Sequence, residues 1–148
     1  MVDYELAAPT MESPSRVPRW LRRALAGVAI FNILSALAGM AGLTLGGGMG
    51  IPLELLDGSP FRSYFWPGII LGLVVGGSQV VPLLAQRRHS QFAWPLHAAA
   101  GLVMIIWIFV ELVMLLNWSV LHGIYFVSGF IQVVLAVLAL HFVSRETP

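Results

Sequence analysis

The chain contains no cysteine. Disulfides, thiolate-held metals and cysteine nucleophiles are therefore excluded. It contains no lysine either, so all eight of its basic residues are arginine. Charge of any kind is scarce. Only 10% of the 148 residues are charged, against roughly 25% in soluble domains. So little charge cannot cover a surface surrounded by water, but it suits one surrounded by lipid. The net charge of +1 says nothing about partners, and no basic, aromatic surface for nucleic acid is present.

Catalytic signatures are also missing. There is no Walker loop, no GxGxxG opening a helix after a strand, no HExxH and no carboxylate pair at catalytic spacing. Gly46-Gly47-Gly48-Met49-Gly50 is rich in glycine, but it follows an apolar run and reads as a flexible joint, not a phosphate cradle. No catalytic residue, metal site or cofactor is expected.

What is abundant is apolar length. Hydrophobic residues make up 58% of the chain, and the mean hydropathy is +0.86. Four runs, about 20–45, 65–85, 92–116 and 120–143, each approach or exceed the roughly 20 residues that cross a bilayer. Period-2 alternation is absent, which argues against a β-barrel. The expected fold is an all-α membrane protein, a bundle of four transmembrane helices over residues 20–143.

The arginines set the orientation. Arg16, Arg19, Arg22 and Arg23 precede the first run, Arg87 and Arg88 lie between the second and third, and Arg145 follows the fourth. Only Arg62 falls on the other side. The positive-inside rule then predicts that both termini are cytoplasmic. Residues 1–19 carry Asp3, Glu5, Glu12, Pro9, Pro14 and Pro18, the composition of a disordered cytoplasmic tail. A cleavable leader is the alternative, with Ala36-Leu37-Ala38 as its cleavage site. The long acidic start and the apolar run continuing to Leu45 favour a retained helix.

The outer loop, residues 46–64, has features of its own. Ile51 to Leu56 has the pattern of a short interfacial helix, with Pro at its start and Glu54 in its first turn. Asp57-Gly58 closes it as a turn. Phe61, Tyr64, Phe65 and Trp66 are expected at the membrane boundary, where aromatic rings anchor. They fit an anchored loop, or a docking lip for a partner or lipid headgroup.

The second run holds Gly68, Gly72 and Gly76 on one side. Between helices in lipid, close packing replaces the hydrophobic drive, and small residues permit it. The first run offers Ser35, Gly39 and Gly42, the third Gly101, and the fourth Ser128 and Gly129. These faces suit packing within the bundle, or contact with another membrane protein or a second copy.

Polar residues within the runs are costly and therefore informative. Asn32, Gln79 and Gln132 share the small-residue faces, so four inward faces would make a polar seam. Glu111 stands out. Counted from the turn at Trp118, it lies seven residues before and Tyr125 seven after, at equal depth. His122 is about one turn further out. A bond from Glu111 to Tyr125 or His122 is expected, and proton handling, cation binding or a subunit contact remain open for the carboxylate. The same count pairs His97 with His141, but His122 has no histidine opposite, so structural roles are expected over haem or metal ligation.

The stretch SPFRSYFWPGIILGLVVGG, then a short basic loop and AGLVMIIWIFVELVML, resembles a family of small uncharacterised bacterial four-span membrane proteins. The likeness covers about residues 50–142. It implies the four-span topology and adds no site. Size and topology are also similar to DoxX-like proteins. Functionally, the small size, minimal extramembrane mass and small-residue faces point to a non-enzymatic accessory or scaffold subunit of a larger membrane complex. The alternative is a small oligomeric transporter or channel-like protein using the intramembrane carboxylate.

Overall fold

The computed structural model describes residues 17–144. The first sixteen residues of the acidic tail, and Arg145, lie outside the described residues. Four long helices cross in sequence: α1 (Arg19–Leu45), α2 (Phe65–Arg87), α3 (Ala93–Leu115) and α4 (Val120–Ser144). Only 22–33% of the most apolar window of each is buried. What points outward is Leu, Ile, Val and Phe, as at Leu34, Leu73, Ile106, Phe109, Phe130 and Val137. A rim of that chemistry is stable only in hydrocarbon, so the protein is a multi-pass membrane bundle.

The helices form a ring in chain order. α1 packs on α2, α2 on α3 and α3 on α4, and the ring closes where α4 meets α1, the loosest of the four seams. At the arginine-rich end Leu21 and Leu25 of α1 pack with Ala93 and Trp94 of α3 and with Ala136 and Ala139 of α4.

The glycines of α2 are spent on α1. A methyl group on Gly68 would lie 2.9 Å from both Leu43 and Thr44, one on Gly72 would collide with Met40, and one on Gly76 would lie 3.3 Å from Ala36. The contact stripe on α1 is thus Ala36, Met40, Leu43 and Thr44, not the small residues expected. Gly39 instead receives the Leu71 side chain, and Gly42 receives Met49. Between Leu71 and Gly76, α2 winds as a π-helix. Its i→i+5 bonding offsets the drift that α-helical winding imposes on residues four apart. The three glycines therefore stay in line on their neighbour.

Boundaries differ slightly from those read in the sequence. α2 continues to Arg87, two residues past Ala85, and α3 opens at Ala93 rather than Phe92. The expected interfacial helix is a single 3-10 turn, Leu53–Leu56. α3 ends at Leu115, and the capping residue Leu116 adopts left-handed φ of 47° and turns the chain toward α4.

Candidate functional site

The polar residues of the spans meet at the bundle axis. Asn32, Gln79, His97 and Gln132 are each wholly buried. Gln132 is the hub. Its Oε1 accepts from Asn32 Nδ2 at 3.1 Å, and its Nε2 donates to Gln79 Oε1 at 2.8 Å and lies 3.4 Å from His97 Nδ1. Asn32 Oδ1 accepts from Ser128 Oγ at 2.8 Å, and Gln79 Nε2 donates to the Ala100 carbonyl at 3.0 Å. Toward the arginine end, His97 Nε2 lies 3.0 Å from Gln86 Oε1, and Gln86 Nε2 donates to the Arg22 carbonyl at 3.0 Å. One hydrogen-bonded chain thus ties all four helices.

This arrangement fixes register. Each amide satisfies several donors and acceptors at once, so sliding any helix would strand polar groups in a dry interior. The sequence places Asn32, Gln79 and Gln132 on inward faces. It does not single out Gln86, which falls in the basic loop when the second span is ended at Ala85; α2 extends past it to Arg87. His97 is absorbed by this network, whereas His141 is exposed in the last turn of α4. Among the described residues no three metal-ligating side chains converge.

Glu111 lies apart from the network, nearer the outer loop. His122 is its neighbour, with Nε2 3.7 Å from Oε2. The Ser119 backbone N–H donates to His122 Nδ1 at 3.1 Å, and Ser119 Oγ lies 2.8 Å from the same atom. A backbone N–H can only donate, so Nδ1 is the acceptor in this contact and Nε2 is the ring nitrogen that faces Glu111. Tyr125 makes no hydrogen bond to Glu111. Its ring tilts against Phe31 of α1 at 6.2 Å between centroids, and its backbone carbonyl accepts from Ser128 Oγ at 2.9 Å.

Glu111, His122 and Tyr125 border a cavity of about 320 Å³ between α1, α3 and α4. Met49 and Ile51 of the outer loop cover it, and Leu71, from the π-helical turn of α2, forms part of its wall. Trp107 lines it one helical turn from Glu111, with its Nε1–H buried. The lining is mostly apolar with a few polar groups, the usual constitution of a small-molecule pocket, and its size is at the low end of the roughly 300–1,000 Å³ such pockets occupy. Neither Trp107 nor the cavity is legible in the sequence, because the space depends on how α1 meets α4.

The outer loop is latched over this end. The Tyr64 hydroxyl donates to the Pro52 carbonyl at 2.8 Å, and Tyr64 is 5% exposed. It holds the loop from within and is not an exposed ring. Phe65 and Trp66 are about half exposed and meet edge to face, with centroids 5.6 Å apart. Phe61 is half-buried and borders a polar hollow with Glu54, Asp57 and Arg62.

No protein-family model, curated protein or solved structure matches this chain significantly.

Proposed function

We propose that this protein is a membrane-embedded binding protein for small amphiphiles, the binding half of a carrier function. The supporting observation is the cavity around Glu111, with most of its polar groups toward one end and the loosest helix seam beside it. The arginine distribution supports cytoplasmic termini, and on that reading the cavity belongs to the outer half of the membrane. The small-residue faces that suggested a docking partner are used inside the bundle, which shifts the balance from scaffold to binding. Below the cavity, the amide network closes the bundle axis, as an outward-facing resting state requires.

Photolabelling tests this reading. A decyl alcohol bearing a terminal diazirine, added to the reconstituted protein, should label Leu71, Met104 or Ile108, and excess unlabelled decanol should suppress that labelling. Labelling confined to outward side chains, without saturation, would remove the binding role. An accessory-subunit role is the second reading, favoured by the near absence of mass outside the membrane. Native mass spectrometry after gentle extraction would then show a stoichiometric partner protein.

A further inference from the structure

Among the described residues no arginine reaches the Glu111 carboxylate. The basic side chain facing it is His122, whose Nε2 lies 3.7 Å away and whose Nδ1 accepts the Ser119 N–H. Arg62 lies in the separate hollow of the outer loop with Glu54 and Asp57. Arg19, Arg22, Arg23, Arg87 and Arg88 are at the opposite end of the helices. Ionised carboxylates inside membrane proteins are matched by a counter-charge or open onto the species they handle. Here the group opens onto a cavity.

The cavity has most of its polar groups toward one end, Ser35 beside Ala36 being the exception. Ser119, His122 and Glu111 stand at the outer end, and Ala36, Met104 and Ile108 at the deep end. Glu111 is four residues from the end of α3, about 6 Å below it at the helical rise of 1.5 Å per residue. On the four-span reading, a head bound there would lie near the membrane surface with its body toward the hydrocarbon. Trp107 and Tyr125 supply aromatic walls beside the carboxylate, and aromatic faces attract cations.

Building on the binding role proposed above, we propose that the ligand is an amphipathic organic ammonium. Its cationic head pairs with Glu111, its apolar body fills the deep end, and it enters from the outer half between α1 and α4.

The test uses a matched pair. One probe is (3-phenoxypropyl)trimethylammonium. The other is its carbon isostere, in which tert-butyl replaces trimethylammonium, so that shape is kept and charge removed. Binding is measured by calorimetry on the protein in phosphatidylcholine nanodiscs, corrected with empty discs. The cation should bind at least about tenfold more tightly than the isostere, a preference of about 1.4 kcal/mol. Glu111→Gln should erase the preference and leave the isostere unchanged. Ile108→Trp, which fills the deep end, should weaken both probes alike. Equal binding of both probes to the wild-type protein would overturn the ammonium assignment while leaving the binding role standing. Binding of neither would overturn both. The wild-type comparison decides the ligand class even if a variant fails to fold.

Discussion

Gly101 of α3 and Gly129 of α4 meet backbone to backbone. A methyl group on Gly101 would lie 2.8 Å from the Gly129 carbonyl oxygen, and one on Gly129 would lie 2.9 Å from the Gly101 carbonyl oxygen. The contact is reciprocal, and neither side can yield by rotating a side chain. It sets how closely the two helices cross and therefore how tightly the ring closes below the cavity.

A graded alanine series follows from that contact. Gly27 has nothing within 4 Å of an added methyl, so Gly27→Ala should leave stability unchanged or raise it slightly through helix propensity. Gly76→Ala, with Ala36 at 3.3 Å, should cost little. Gly101→Ala should cost about 1–3 kcal/mol, the usual range for overpacking. Thermal unfolding in detergent should rank the variants in that order.

Gln132→Leu keeps the size of the hub and removes its hydrogen bonds. Asn32, Gln79 and His97 then lose a partner in a dry interior. Destabilisation of about 1–3 kcal/mol is expected from unsatisfied buried groups. A double-mutant cycle with Asn32→Leu should show coupling, with the double variant less damaged than the sum of the singles. Strict additivity would show that the network contributes nothing as a unit.

Tyr64→Phe removes the latch to Pro52 and nothing else of the bundle. Amide exchange across residues 48–57 should accelerate, while exchange in α3 and α4 stays as before. The latch also has a sign with pH. Burial, and then the nearby Glu54 carboxylate, hold the Tyr64 hydroxyl above its ordinary value. The folded loop therefore keeps its proton where the unfolded chain would lose it. This contribution is complete below the ordinary tyrosine range and is lost as pH rises through the higher folded value.

The absence of cysteine makes orientation directly measurable. In intact cells an impermeant maleimide should label Ser59→Cys in the outer loop. It should reach His89→Cys, in the loop after α2, only once the membrane is opened. The reverse pattern would invert the topology and place the cavity on the cytoplasmic side.

Much of this architecture is local in origin and was therefore readable along the chain. Four apolar runs long enough to span, and the clustering of arginine between them, depend only on composition and spacing. The inward position of Asn32, Gln79 and Gln132 follows from helical periodicity, because a polar side chain in hydrocarbon must turn toward the bundle. Tertiary structure decided the rest. The π-helical turn at Leu71–Gly76 changes the phase of α2, so the glycines meet Ala36, Met40 and Leu43 rather than the small residues of α1. Gln86 joined the network only because α2 runs past its expected end. The Glu111 cavity exists because α1 and α4 close less tightly than the other helices. Periodicity assigns a residue to a face; the gap between two faces depends on every side chain packed between them.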